Sequence, residues 1–259
     1  MSLAKPVWAC VVVAALSAVT YDAQAQTPPP ASDVRLGPLQ YYGGQPPVDD
    51  NAIFHGLLEQ AEGRYNGRNT NGRYDGQFWA GTDYNKIWIK SEGLVTNNGR
   101  FTDGQHEFLL DRAISSYFDL QGGVRVDLDQ AATRTWGAFG IQGLSLYFFD
   151  LEATAYVSDR GRFAARLKAS YDLLITNRLI LQPEAEINFY SKSDEGRGVG
   201  SGPSDIDTGL RLRYEITRKF APYVGVSYVG RFFQSANFAR REGEAANDVR
   251  FVFGVRSWF

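Results

Sequence analysis

Pairs of carboxylates are the residues of this sequence best placed to do chemistry. Asp150 and Glu152 are two residues apart, and so are Glu184 and Glu186, in stretches where polar and apolar side chains alternate. In a β-strand, side chains two residues apart point to the same side, so each pair presents its carboxylates together. Rings of carboxylates in a pore select cations, and their oxygen atoms can hold a divalent ion. The pattern therefore predicts the binding or passage of cations.

Two histidines follow residue 25, and an imidazole nitrogen is a frequent ligand of transition-metal ions. His55 comes early in the first alternating segment, whereas His106 follows the stretch TDGQ, in or beside a loop. We predict that they lie at opposite ends of the fold, where they cannot share one ion. For each, a metal role competes with an ordinary one. His55 could be an amphipathic residue at a membrane interface, and His106 a solvated loop residue.

Catalysis finds little support in the sequence. Ser115 and Ser116 follow His106 by about ten residues, which along one strand is far beyond hydrogen-bond reach. The nucleophile motif G-x-S-x-G does not occur. We therefore predict a protein that is not an enzyme.

Charges of both signs continue the polar faces of the alternating segments. The residues that we expect to share the interior with the paired carboxylates are Arg166, Lys168, Asp172, Arg211, Arg213, Glu215, Arg250 and Arg256. A buried charge without a partner is costly, so most of them should form ion pairs. Two interpretations stay open: a network that only fills and stabilises the interior, and a network beside a narrow cation path.

A period of two residues organises the chain from residue 52 onward, and this period is a strong signal for strands. We place strands at 52–65, 73–80, 86–94, 105–115, 118–127, 134–144, 148–157, 162–173, 179–190, 207–216, 221–232 and 248–259. Each has one apolar face, often with aromatic residues near its ends, and the sequence offers no helices to cover that face. Lipid can cover it instead, as in outer-membrane barrels, which have an even number of strands.

The predicted fold is therefore all-β: a closed, up-and-down antiparallel transmembrane β-barrel of about twelve strands, in one domain from 52 to 259. A soluble periplasmic β-sandwich or jelly roll is the alternative. Outer-membrane barrels have short periplasmic turns and longer extracellular loops. We predict turns at 81–85, 145–147, 174–178 and 217–220, and long loops at 66–72, 95–104, 191–206 and 233–247.

The first 25 residues have the pattern of a secretory signal peptide. Lys5 precedes a short apolar run, and an Ala-x-Ala site ends at Ala25. Residues 26–51 are rich in proline and glycine and predict a flexible periplasmic tail. Cleavage removes Met1 and Cys10, the only methionine and cysteine, so the mature chain has no sulfur ligand. We predict the outer membrane of a Gram-negative bacterium as the destination.

The chain stops on an aromatic residue at the end of its last predicted strand. Phe259 resembles the C-terminal aromatic signal that the barrel-assembly machinery recognises, so this machinery and outer-membrane lipid are predicted partners. The formal net charge is -2, which argues against a nucleic-acid partner.

Several long stretches resemble the copper-resistance protein B family, bacterial outer-membrane β-barrels associated with copper tolerance. They are DDNAIFHGLLEQAEGR at 49–64, WAGTDYNKIWIKSEG at 79–93, YDLLITNRLILQPEAEINFY at 171–190, GVGSGPSDIDTGLRLRYEITRKFAPYVGVSY at 198–228, ANFARREGE at 236–244 and FVFGVRSWF at 251–259. The resemblance implies that copper ions bind to the barrel or pass through it. The two histidines and the two acidic pairs are then the candidate copper ligands.

One segment departs from the family. Its members often carry a Met- and His-rich segment between signal and barrel, but residues 26–47 here contain no Met, His or Cys. A thioether site for Cu(I) is therefore impossible in the mature chain. Either the function of this segment is lost, or a periplasmic copper-binding protein supplies it. The alternatives are a general small-solute or cation channel without copper preference, and a structural barrel that recruits such a partner.

Overall fold

The computed structural model describes residues 52–128, 133–159, 161–241, 243 and 245–259. The predicted signal peptide and tail, residues 1–51, lie outside the described residues.

Thirteen strands make up the sheet, and two of them are consecutive parts of one barrel strand. The strands are β1 (Ile53–Tyr65), β2 (Thr70–Gly81), β3 (Asn85–Val95), β4 (Phe101–Ala113), β5 (Phe118–Leu128), β6 (Arg134–Leu144), β7 (Asp150–Ser158), β8 (Phe163–Ser170), β9 (Leu173–Leu174), β10 (Leu179–Tyr190), β11 (Gly202–Tyr214), β12 (Phe220–Arg231) and β13 (Asn247–Trp258). Both β8 and β9 pair with β10, so the barrel has twelve strands.

Main-chain pairing closes the sheet into a ring. Each strand pairs antiparallel with its neighbours, β10 pairs with β11, and β13 pairs with β1 from Leu57 to Tyr65. The predicted closed antiparallel barrel of about twelve strands is confirmed. The predicted seam between the last and the first strand is also present.

The two ends of the barrel differ. The turn end carries residue 52, Phe259 and the connections 82–84, 114–117, 145–149, 175–178 and 215–219. The loop end carries the connections 66–69, 96–100, 129–133, 159–162, 191–201 and 232–246. The last of these contains a short helix, α1 (Phe233–Arg241). In the part of the chain that is described, no helix is long and apolar enough to cross a membrane.

At the loop end, several strand boundaries differ from those predicted from the sequence. The predicted long loops at 66–72 and 95–104 are wrong, because β2 already begins at Thr70 and β4 at Phe101. Likewise, β11 begins at Gly202 rather than at 207. In these segments both sides of the strand carry polar or glycine residues, so the alternation that reveals a strand disappears.

The barrel is apolar outside and polar inside. Leu110 on the outward face of β4 is 69% exposed, whereas its neighbour Leu109, facing inward, is 3% exposed. The inward face of the described strands buries many charged side chains, including Glu62, Arg64 and Arg211. An exterior of this kind suits lipid.

A bulge in β1 brings additional charge to the interior. The register of β1 shifts between Leu58 and Gln60. Because of this shift, Glu59 before it and Gln60 after it both face the lumen, where they contact Lys168 and Glu184. A strict period of two would place only one of these two residues inside.

Gly56 and Phe259 close the seam at the turn end. Their main chains exchange two hydrogen bonds, from Gly56 N to Phe259 O at 2.9 Å and from Phe259 N to Gly56 O at 3.0 Å. The Phe259 ring lies over Gly56, where an added Cβ would come within 2.5 Å of it. The terminal aromatic residue is therefore part of the barrel wall.

We predict that Gly56→Ala lowers the free energy of unfolding by about 1 kcal/mol, because the new methyl group displaces the Phe259 ring. Gly76→Ala is the matched control, since its Cβ would make only ordinary contacts at 3.7 Å. Urea titration of the barrel folded into lipid vesicles measures both. Equal unfolding midpoints for the two variants would contradict the packing of Phe259 on Gly56.

Candidate functional site: the charged lumen

Four charged side chains from opposite walls meet across the lumen. Arg73 of β2 contacts Glu92 of β3 at 3.3 Å and Glu186 of β10 at 3.7 Å. Arg166 of β8 contacts the same two carboxylates, Glu92 at 2.7 Å and Glu186 at 3.6 Å. We call these four residues the central quartet. Each carboxylate lies between two guanidinium groups, so the four charges form a cycle that spans the barrel.

A second group of ion pairs joins the quartet to the part of the wall that runs from β11 through β12 and β13 to β1. Asp207 accepts hydrogen bonds from Arg64 at 2.7 Å and from Arg73 at 2.8 Å. Glu62 accepts from Arg64 at 2.6 Å and from Arg211 at 3.1 Å. The network is therefore continuous from this part of the wall to the centre of the lumen.

Pairing is what makes this much buried charge tolerable. Moving an ion out of water costs several kcal/mol even after relaxation, and only close partners and hydrogen bonds offset the cost. Removing one partner leaves an uncompensated charge, which is worse than removing both. The lumen network therefore holds the walls in register, whatever else it does.

Most of the residues predicted for this network lie inside it. Arg211 also contacts Glu184 at 3.1 Å, Lys168 contacts Asp75 at 2.8 Å, and Arg213 contacts Asp172 at 2.7 Å. Arg250 contacts Asp248 at 2.7 Å, on the loop-end half of β13.

Glu215 is the exception among the predicted interior charges. It was expected to face the lumen from a strand ending at 216, but β11 ends at Tyr214. Glu215 lies in the following connection and pairs with the exposed Arg218 at 3.3 Å. Glu215 therefore pairs apart from the network described above, and its place in the lumen stays a prediction.

Between the quartet and the turn end, the lumen holds a cavity of about 300 Å³, which we call the vestibule. The charged residues that line it are Glu59, Asp75, Lys90, Glu92, Glu107, Asp150, Glu152, Arg166, Lys168 and Arg256. Lys90 contacts Glu152 at 2.9 Å, and Lys168 holds Asp75 and Glu59. The vestibule thus presents carboxylate oxygens beside ammonium groups.

The two acidic pairs predicted as ligands face the lumen but serve different partners. Glu184 accepts hydrogen bonds from Gln60 and Arg211, whereas Glu186 belongs to the central quartet. Asp150 and Glu152 both line the vestibule. Among the residues that the structure describes, no three His, Cys, Asp or Glu side chains are placed to hold a metal ion. The metal role of these carboxylates stays a prediction.

His55 lies at the turn end, as expected, and its ring sits between two indoles. The ring centroids are 5.9 Å from Trp79 and 5.6 Å from Trp258. Both tryptophans share the inward faces of their strands with lumen charges, Trp79 with Asp75 and Trp258 with Arg256. His55 therefore belongs to an aromatic rim of the lumen rather than to the lipid-facing interface.

His106 is not a loop residue. It lies within β4, on the outward face beside the exposed Phe108, and its Nδ1 is 2.9 Å from the hydroxyl of Ser91. The prediction of a solvated loop histidine is wrong because β4 begins at Phe101. As expected, His55 and His106 do not come together, and His106 is separated from the lumen by the barrel wall.

Several lumen residues were missed from the sequence. Arg73 has the same parity as Asp75 and begins the predicted strand 73–80, so the alternation could have revealed it. Glu59 could not be assigned, because the bulge that turns it inward leaves no mark on the alternation. Glu107 precedes the run of apolar residues in β4 and accepts a hydrogen bond from Tyr156 at 2.7 Å.

At the loop end, the connection 191–201 is clamped to the rim. Asp194 accepts hydrogen bonds from Arg162 at 2.7 Å and from Arg134. Burial acts to raise the pKa of Asp194, but the hydrogen bonds and positive charges of Arg134 and Arg162 outweigh burial, so the pKa is lowered. Because the folded pKa is lowered, the clamp is stabilising above the ordinary Asp range and is lost as the pH falls through the lowered pKa.

The connection 232–246 is tied to the same segment. Ser235 of α1 is 1% exposed, and its hydroxyl accepts from Gly200 N at 2.7 Å and lies 2.8 Å from the hydroxyl of Ser204. Glu195 and Arg241 add an exposed ion pair between the two connections. The two longest loop-end connections thus form one structure.

We predict that Asp194→Asn at neutral pH increases tryptic cleavage after Lys192 and Arg197 several-fold, because the clamp loses its charge. In the unmodified protein, pepsin should gain access to this segment only as the pH falls below the ordinary Asp pKa of about 3.9. Glu195→Gln, which removes only the exposed pair, should cleave at the original rate. Rapid cleavage of the unmodified protein at pH 5 would contradict the clamp.

We also predict that Glu186→Gln lowers the free energy of unfolding by about 3 kcal/mol, because Arg73 and Arg166 lose a shared partner inside the lumen. Glu195→Gln, at an exposed ion pair, should change it by less than about 1 kcal/mol. Urea titration of the barrel in lipid vesicles measures both variants. A small effect at Glu186 would mean that water already screens the quartet.

Together, the closed antiparallel ring, the apolar exterior and the charged interior define a transmembrane β-barrel of the outer-membrane class. The fold resembles that of the NanC porin, with a TM-score of 0.52 and 10% identity over 77% of this chain and 98% of that one. At this identity the likeness concerns the fold alone.

The family model described as Copper resistance protein B precursor matches residues 52–259. The chain belongs to the copper resistance protein B family, which confirms the resemblance seen in the sequence. It is 43% identical to Copper resistance protein B of Escherichia coli, over 91% of this chain and 80% of that protein. It is 41% identical to the Copper resistance protein B homolog of Pseudomonas syringae pv. tomato, over 92% and 81% respectively.

Proposed function

We propose that this barrel supports copper resistance in the outer membrane of a Gram-negative bacterium by binding copper ions in its vestibule. Family membership supports the link to copper. The observation that carries the binding site is the vestibule itself, a cavity of about 300 Å³ with four carboxylates, Glu59, Asp75, Asp150 and Glu152, on the turn-end side of the quartet. In this proposal the turn end faces the periplasm.

The chemistry of the site favours Cu(II). Beyond residue 25 the chain has no thiol or thioether, the ligands that select Cu(I). Carboxylate oxygens and the imidazole of His55 at the rim remain, and both suit the divalent ion. An ion that enters from the turn end passes His55 and then meets Asp150 and Glu152.

Passage through the barrel requires a change in the lumen. The central quartet crosses the path above the vestibule, and its four contacts must separate before an ion can move further. Binding at the vestibule is therefore the first step, and passage depends on opening of the quartet. Catalysis has no part in this proposal, because the lumen offers cation ligands and the close Ser–His contact found among the described residues, Ser91 with His106, lies on the outward face, away from the vestibule.

We predict that Asp150→Asn combined with Glu152→Gln weakens Cu(II) binding by about tenfold, the effect of losing roughly 1.4 kcal/mol of interaction. Calorimetric titration of the folded barrel with a copper salt, in a buffer without amino acids, measures the affinity. Glu215→Gln is the matched control, because this acid lies at the same end, pairs with the exposed Arg218 and does not line the vestibule. Unchanged affinity in the double variant, with unchanged copper tolerance of cells that carry it, would contradict copper binding in the vestibule.

A general cation channel is the second candidate, favoured by the mixed charges of the vestibule. Single-barrel conductance in planar bilayers separates the two functions. A channel without copper preference would conduct potassium steadily, and copper would not reduce the current. A copper-binding barrel closed by the quartet would conduct little, and copper would block what remains.

A further candidate is a structural barrel that recruits a periplasmic copper-binding protein through its N-terminal tail. The family's Met- and His-rich segment is replaced here, so copper delivery by a partner would fill that role. Deletion of residues 26–47 tests this candidate. It should abolish copper tolerance while leaving copper binding by the purified barrel intact.

A further inference from the structure

Two charged side chains of opposite sign line the vestibule without partners of their own. Arg256 projects from β13, and Asp150 begins β7. Within the described ranges, neither makes an ion pair, and the buried Nε of Arg256 has no hydrogen-bond acceptor. Both are therefore available to a ligand.

The other charges of the vestibule are occupied. Lys168 holds Asp75 and Glu59, and Lys90 holds Glu152. At the top of the cavity, Arg166 is shared by Glu92, Glu186 and Glu107. Arg256 and Asp150 differ from these residues, because each has a charged side chain that forms no ion pair.

The two residues face each other from separate walls. Going round the barrel from β13, the strands β12, β11, β10 and β8 come before β7. Even so, both side chains line the same cavity of about 300 Å³. No ion pair joins Arg256 and Asp150, so a gap separates them, and one small molecule in this cavity can contact both.

A zwitterion fits this arrangement. The planar guanidinium of Arg256 matches a carboxylate, which it can hold through two parallel hydrogen bonds. An ammonium group a few ångströms away on the same molecule would donate to the carboxylate of Asp150. A cavity of about 300 Å³ suits a molecule of this size.

We propose that the vestibule binds small zwitterions of the α-amino-acid class, with the ligand carboxylate on Arg256 and its amino group on Asp150. This gives the vestibule a ligand that needs no metal. It also assigns Arg256 a role that the ion-pair network does not.

The site also suggests that copper reaches the vestibule as a complex with an amino acid. This part of the inference rests on the proposed function. An α-amino acid chelates Cu(II) through its amine and one carboxylate oxygen. The coordinated amine keeps N–H groups for Asp150, and the second carboxylate oxygen stays free for Arg256. The described residues include no set of three metal-ligating side chains, so the chelate would supply the ligands that the barrel lacks.

Calorimetric titration of the folded barrel in detergent tests the zwitterion site without copper. The probes are alanine, propionate and ethylamine, which carry both charges, the carboxylate alone and the ammonium alone. We expect alanine to bind at least about tenfold more tightly than either single-charge probe, a difference of roughly 1.4 kcal/mol. Equal binding of the three probes would overturn the proposal.

Two variants test which residue binds the carboxylate of the ligand and which binds its amino group. Arg256→Gln should weaken alanine and propionate about tenfold and leave ethylamine unchanged, whereas Asp150→Asn should weaken alanine and ethylamine and leave propionate unchanged. Arg218→Gln is the control, since it removes a positive charge from the same end but outside the cavity. An equal loss of alanine binding in Arg218→Gln would mean that only the general field of the turn end matters.

Two further measurements keep the test decisive. Where Arg256→Gln fails to fold, Arg256→Lys keeps the charge but loses the planar fork, and it should still weaken alanine binding several-fold. Unchanged binding would overturn the proposal.

A final titration compares a copper salt with the bis(alaninato)copper(II) complex. Copper-salt binding without alanine binding would overturn the zwitterion site and leave the proposed function standing, and alanine binding without copper binding would do the reverse.

Discussion

A strand that crosses lipid must have its main-chain donors and acceptors satisfied by neighbouring strands, and this chain meets that requirement by pairing β13 with β1. The rest of the structure depends on this closure. A closed ring has no free edge, so one face of every strand must point to lipid and the other to an enclosed interior. The apolar residues cover the outside, and the charged residues have no place except the lumen.

Enclosure explains why the lumen is so strongly paired. Within a narrow interior, charges on opposite walls come within contact distance, and the cost of removing them from water leaves few of them unpaired. The central quartet results from this crowding in the middle of the barrel, where Arg73 and Arg166 each pair with two carboxylates. A lumen of this kind is first a structural element. Transport through it requires contacts to break, whereas binding beside it does not.

The two ends of the lumen differ in the length of their connections and in the contacts that these connections make. At the loop end, Asp194, Arg134 and Arg162 join a long connection to the rim, and α1 is tied to it through Ser235. At the turn end, the connections are short and the vestibule lies behind an aromatic rim around His55. Asp150 and Arg256 line this vestibule, between the turn end and the central quartet. In the proposed function, a ligand therefore enters from the turn end.

The alternation of the sequence by itself determined the fold class, the number of barrel strands, the seam that ends at Phe259 and the inward face of residues such as Glu184 and Arg211. It could do so because lipid and lumen impose a period of two on every strand, and a local period is visible without knowing the neighbours. The bulge at Glu59 and the strand ends at Thr70 and Phe101 were not visible, because the local pattern there is broken or polar on both sides. Only the tertiary structure decided which charges are paired across the barrel and which, like Arg256 and Asp150, are not. That outcome depends on distances between strands far apart in the chain, and no local pattern encodes those distances.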